Sequence, residues 1–142
     1  MNDYTHLKYQ CNLKNKTTLT NDLTKLKLDE NHRMITLDIK DLYVNIPINE
    51  TIMITKTLIS KHNNEQVTNQ ITMLLETILK QNYLSFQGNI YQPTKGVSMG
   101  SPISGIMAEI FLQHLENTLL KQIIDTNTII FYTRYVDDIL II

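Results

Sequence analysis

The chain has 142 residues, of which 42% are apolar and 19% charged, enough for one packed core in one globular unit of ordinary size. Thirteen basic against fourteen acidic residues leave a formal net charge of −1, without the basic footprint that phosphate contacts usually leave. Cys11 is the only cysteine, which excludes an intrachain disulfide framework and a cysteine-based zinc site and fits a reducing compartment.

The segment Met1 to Lys14 is polar and lacks the apolar core of a signal peptide, and no later run approaches the ~20 apolar residues that span a bilayer. An intracellular chain, nuclear or cytoplasmic, with no membrane partner is expected. Asn15-Lys16-Thr17 and Asn49-Glu50-Thr51 match the glycosylation pattern, which carries no meaning without a secretory route.

Leu19, Leu23 and Leu26 recur at helical spacing, predicting a helix over 18–28. Arg33 to Ile39 is rich in apolar and β-branched residues and reads as a buried strand. Pro47 closes the segment that follows. Helices are expected near 50–61 and 65–81, the second with Val67, Ile71, Leu74, Leu75 and Ile78 on a core-facing stripe. Tyr83 to Phe86 and Ile90 to Gln92 flank Gln87-Gly88-Asn89 as a hairpin, with Gly88 supplying a positive φ.

Pro93 to Gly100 reads as a loop. Ser101 as N-cap and Pro102 as first helical residue open the longest helix. It carries Ile103, Ile106, Met107, Ile110, Phe111, His114 and Leu115 on one stripe and runs to Ile124, roughly 36 Å at ~1.5 Å per residue. His114 on that stripe reads as a core histidine rather than a ligand. After Asp125-Thr126-Asn127, Thr128 to Val136 and Ile139 to Ile142 form a hairpin with Asp137 and Asp138 at its tip. Strand, two helices, hairpin, long helix and hairpin together give an α+β fold, with helices packed on one face of an antiparallel sheet.

Asp38, Asp137 and Asp138 all stand where apolar strands end. Singly, each is ordinary turn or strand-end chemistry. Jointly, carboxylates gathered in such surroundings repel one another and lose solvation unless a cation compensates. Mg²⁺ is the natural cation, because it takes hard oxygen ligands, commonly one or two carboxylates with substrate phosphates. The two acid sites are therefore expected to meet at one end of a shared sheet.

Leu37-Asp38-Ile39-Lys40-Asp41-Leu42-Tyr43, Lys95-Gly96-Val97-Ser98-Met99-Gly100-Ser101-Pro102-Ile103-Ser104 and Tyr135-Val136-Asp137-Asp138 resemble, in order, motifs A, B and C of reverse transcriptases. Asp41 to Pro47, Met99 to Pro102 and Ala108-Glu109-Ile110-Phe111 further resemble the Penelope-like retroelements. The resemblance covers about 34–142 as a palm core and leaves 1–33 as a helical lead-in.

That resemblance implies an RNA-directed DNA polymerase acting on an RNA or DNA template with a primer and dNTPs. Asp38, Asp137 and Asp138 would be catalytic. With the carbonyl of Ile39, they would hold two Mg²⁺ ions ~3.5 to 4 Å apart, Mn²⁺ being a substitute. Tyr43 would be the gate that collides with a ribose 2′-hydroxyl. Lys95, Gly96, Met99, Gly100 and Ser101 would line the nucleotide site, and Arg134 and Tyr135 would meet nucleic acid. Met99 stands where many of the enzymes have glutamine, as in the Penelope-like pattern. Gly105 replaces a usual second proline.

The fingers strands expected before motif A and the parts expected beyond motif C, including the thumb, are not recognisable in this sequence, nor is a GIY-YIG nuclease. It reads as a palm fragment, and the alternative is a catalytically inactive remnant that binds nucleic acid weakly at most. The isolated chain is accordingly expected not to extend a primer, because positioning alone supplies roughly 7 to 11 kcal/mol of such a barrier. Purified chain given Mg²⁺ or Mn²⁺, dNTPs and an RNA template with a DNA primer should match an Asp137→Asn control. Extension by several nucleotides that the substitution abolishes would show that the palm suffices.

Overall fold

The computed structural model describes residues 8–10, 16–124 and 129–142. Cys11, Asn15, Asp125-Thr126-Asn127 and Thr128 lie outside the described residues. Two compact units emerge, one from residues 1–40 with 115–142, the other from 41–114. Among the described residues no helix is long and apolar enough to cross a membrane. The fold is α+β.

The first unit is built on a four-stranded sheet. Its strands are β1 (Lys8–Gln10), β2 (Ile35–Asp38), β5 (Phe131–Tyr135) and β6 (Asp138–Ile141), in the order β1-β5-β6-β2. Phe131 to Thr133 are apolar or β-branched and sit in a strand paired on both sides, so Phe131 through Arg134 are all buried. The pairs β5–β6 and β2–β6 are antiparallel, as expected, but β1 adds an unforeseen parallel edge to β5.

The strand expected to be buried over 33–39 is shorter and is the other edge. With a single neighbour, Ile35 to Asp38 are all exposed. Helix α1 (Lys16–Leu23) also stops early, because the amides of Lys25 and Leu26 bond three residues back, to Asp22 and Leu23, and tighten the chain out of the α-helical pattern.

The second unit opens with the short helix α2 (Leu42–Asn45), entered through Asp41 at φ 53. Aspartate tolerates this left-handed region better than most residues. Helices α3 (Ile48–Ser60) and α4 (Glu65–Lys80) then pack against each other, close to their expected bounds. Asn64 caps α4 by accepting from the Val67 amide at 2.9 Å.

The buried face of these helices differs from the expected stripe. Thr51, Thr55, Thr68 and Thr72 are buried with Ile52 and Leu79, whereas Leu74 and Ile78 are exposed. Each buried threonine hydroxyl donates to the carbonyl four residues back, at 2.7 to 2.9 Å. That bond satisfies the hydroxyl without a partner on another element and leaves the methyl group for packing.

Strands β3 (Leu84–Phe86) and β4 (Asn89–Tyr91) form the expected hairpin. Gln87 and Gly88 both have positive φ, 52° and 77°, as a two-residue turn of the I′ kind requires. The helical stretch expected from Ser101 to Ile124 appears as α5 (Ser104–Leu115), a π-helical turn (Glu116–Leu120) and α6 (Lys121–Ile124). Pro102 lies in the turn before α5, and the buried residues of α5 are Ser104, Met107, Ala108 and Leu112, while Ile106 from the expected stripe is 61% exposed.

Candidate active site

In the first unit the register of two strands joins the two acid-bearing motifs. Leu37 pairs with Ile139 and Asp38 with Asp138, and the Ile39 amide donates to the Asp137 carbonyl at 3.0 Å, carrying the ladder one step past the strand end. Asp38 and Asp138 are thus directly opposed and project to the same face, exposed, with Asp137 half-buried in the turn beside them. Like charges placed opposite each other destabilise a sheet. Among the described residues no ion pair involves these aspartates, and no group of three or more His, Cys, Asp or Glu is gathered as a metal cluster.

The turn itself is one residue off the expected position. Tyr135 pairs with Asp138, leaving Val136 and Asp137 as the two-residue loop, with Val136 at φ 57. A positive φ at the first loop position is the II′ arrangement, which favours glycine. A β-branched residue there is strained, of order 1–3 kcal/mol.

Arg134 is a correction. Expected at nucleic acid, it is 1% exposed, and its guanidinium is directed inward. Its Nε donates to Glu116 Oε1 at 2.6 Å and its Nη2 to Glu116 Oε2 at 3.3 Å, while Nη1 donates to the Val136 carbonyl at 2.9 Å. The Tyr132 hydroxyl donates to the same Glu116 Oε1 at 2.8 Å. Tyr132 and Arg134 alternate along β5 on one face, and Glu116 reaches them from the first position of the π-helical turn. Sequence reasoning missed Glu116. An arginine inside an apolar β-prone run signals an acidic partner, but nothing in the sequence selects one acid from fourteen.

In the second unit the loop carrying Lys95 and Gly96 lies against α2. The Val97 amide donates to the Tyr43 carbonyl at 2.8 Å, and Lys95 Nζ donates to Asn45 Oδ1 at 3.1 Å. Gly96 has φ 74, and a Cβ there would collide with the backbone of Val44. Tyr43, Lys95 and Gly96 are therefore neighbours, beside a cleft of about 460 Å³ whose polar lining includes Asn49, Lys80, Asn82 and Gln92. Gly100 has no positive φ and open space about it, so no protein backbone packs where its side chain would stand. Met99 is 80% exposed, Ser101 is half-buried, and Tyr135 is exposed beside the acid pair.

An α+β fold with two carboxylates opposed on adjacent antiparallel strands is the architecture of a polymerase palm. Residues 2–142 match the family model described as reverse transcriptase (RNA-dependent DNA polymerase), and the chain belongs to that family. Comparison with proteins of curated function finds no match.

Gly96→Ala should destabilise the chain by more than about 2 kcal/mol, since the left-handed backbone alone costs alanine ~1–2 kcal/mol and the Val44 backbone must also move. The check is the urea midpoint at unchanged m-value. Gly100→Ala, in open space, should leave that midpoint nearly unmoved.

Proposed function

We propose that this chain carries the nucleotidyl-transfer centre of a Penelope-like reverse transcriptase. The observation that carries the reading is the register that sets Asp38 directly opposite Asp138, with Asp137 bonded to Ile39 at the same sheet end. The donor set is all hard oxygen, and the opposed charges have no basic partner among the described residues. Both properties fit Mg²⁺, or Mn²⁺ in its place. Asp38, Asp137 and Asp138 would hold the ions, with the Ile39 carbonyl as a further donor. Mg²⁺ bound there supplies Lewis-acid activation of a primer 3′-hydroxyl and neutralises charge on the leaving pyrophosphate.

The reaction forms a bond from the primer 3′-oxygen to the α-phosphorus of a dNTP, breaks the bond from that phosphorus to the bridging oxygen, and releases a proton and pyrophosphate. Tyr43 would select the deoxy sugar by collision. Its neighbours Lys95 and Gly96 would meet the nucleotide, Met99, Gly100 and Ser101 would follow on the same loop, and exposed Tyr135 would meet template or primer. A remnant without catalysis is the second reading, favoured by the absence of a gathered three-acid cluster among the described residues and by the net charge of −1.

Titration of Mn²⁺ into the chain, followed by electron paramagnetic resonance, separates the two readings. Asp38→Asn and Asp137→Asn should each weaken binding at least about tenfold, and Asp29→Asn, on an exposed loop, should not. Equal binding by all four chains would leave only the remnant. Tyr43→Ala should bring the dissociation constants of Mn²⁺-dTTP and Mn²⁺-UTP closer together. An unchanged ratio would remove Tyr43 as the gate.

A further inference from the structure

The strained turn at Val136 lies between the two candidate ligands of motif C and the buried Arg134–Glu116 pair. A valine left to itself avoids φ 57, since its branched Cβ crowds the backbone there. In this chain the turn is bonded from two sides: Asp137 offers its carbonyl to the Ile39 amide, and Val136 offers its carbonyl to Arg134 Nη1. The guanidinium is in turn fixed by two bonds to Glu116, whose Oε1 also accepts from Tyr132. The fork has a separate nitrogen for each task, so orientation by Glu116 and tethering of Val136 do not compete. Glu116 opens a π-helical turn, a local departure from helix geometry that is frequent at functional sites.

We infer that Arg134 and Glu116 are positioning residues for the metal site: through the Val136 carbonyl they hold the motif C turn in the left-handed geometry that presents Asp137 and Asp138 together. This rests on the reading of those aspartates as metal ligands. Arg134 touches neither substrate nor metal in this role. It acts through one carbonyl, and the structural signature is specific. A buried ion pair that merely fills the core would be indifferent to the conformation of Val136, whereas a tether becomes dispensable once residue 136 no longer resists a positive φ. Glycine is the residue that does not resist it.

The test uses the whole chain with three sequences at these positions: the native one, Glu116→Gln with Arg134→Met, and that pair combined with Val136→Gly. The double replacement removes both buried charges together, so neither is left unpaired. Without metal, the φ-dependent amide–Hα coupling of residue 136 is expected to report a left-handed conformation in the native chain and an extended one in the double variant. Mn²⁺ affinity is expected to fall about 10-fold or more in the double variant, the usual effect of removing an outer-shell partner. Adding Val136→Gly should restore most of that affinity while leaving the melting temperature of the double variant where it was.

A folded double variant that keeps the native coupling and the native affinity overturns the inference, as does a glycine replacement that restores nothing. If circular dichroism shows the double variant unfolded, Arg134→Lys carries the same readouts. It keeps a cation beside Glu116 but has no planar fork to bridge to Val136. A native chain that binds no Mn²⁺ overturns the metal reading alone, and the coupling of residue 136 then decides the tether by itself.

Discussion

The antiparallel register between β2 and β6 is the constraint on which the site depends. It brings together residues a hundred positions apart, and it does so residue by residue: Ile35 with Ile141, Leu37 with Ile139, Asp38 with Asp138. Side chains alternate faces along a strand, so a slip of one residue would send Asp38 and Asp138 to opposite faces of the sheet. Pairing of β6 with β5 on its other side fixes β6 independently, and the bond from Ile39 to Asp137 pins the end where slippage would begin. The residues flanking the acids on β2 and β6 thus serve the site through their register, although those of β2 are exposed.

Tyr43, Lys95 and Gly96, the proposed nucleotide-site residues of the second unit, are held by a different constraint, close approach of two backbones. Gly96 sits where any side chain would strike Val44, and the bond from the Val97 amide to the Tyr43 carbonyl follows directly from that contact. One glycine therefore links the loop bearing Lys95 to the helix bearing Tyr43. Gly100, in the same motif, has open surroundings and no positive φ, so the two glycines of that loop differ in what they do.

The sequence was most legible where a local rule and the tertiary structure agree. The hairpin around Gln87-Gly88 and the extents of α3 and α4 rest on turn chemistry or periodicity that neighbouring elements do not oppose, whereas the meeting of Asp38 with the last hairpin follows from the need of strand-end carboxylates for a shared cation. It was least legible where burial depends on neighbours that spacing cannot name. Leu74 and Ile78 form part of a regular apolar stripe yet are exposed, while Thr68 and Thr72 are buried because each hydroxyl finds its acceptor within its own helix. Ile35 and Leu37 looked like a core strand and form an edge. Arg134, an exposed cation by any average preference, is among the most buried side chains because Glu116 is there to receive it. The turn shifted by one residue for a related reason: Val136 occupies a backbone region that its own preference opposes.

The form of that tether matters as much as its position. A lone buried arginine two residues from the acid turn would compensate the carboxylates through the low-dielectric interior and compete with any cation for them. Pairing with Glu116 cancels its charge, so the guanidinium can donate to the Val136 carbonyl while adding little field at the sheet end. The second carboxylate oxygen of Glu116 and the Tyr132 hydroxyl complete the cluster, which keeps the desolvation cost of a buried pair from being aggravated by unmet hydrogen bonds. Rigidity of the turn and the hard oxygen ligands that a cation would require are thereby supplied by separate groups: the buried pair fixes geometry, and Asp38, Asp137 and Asp138 offer the carboxylates.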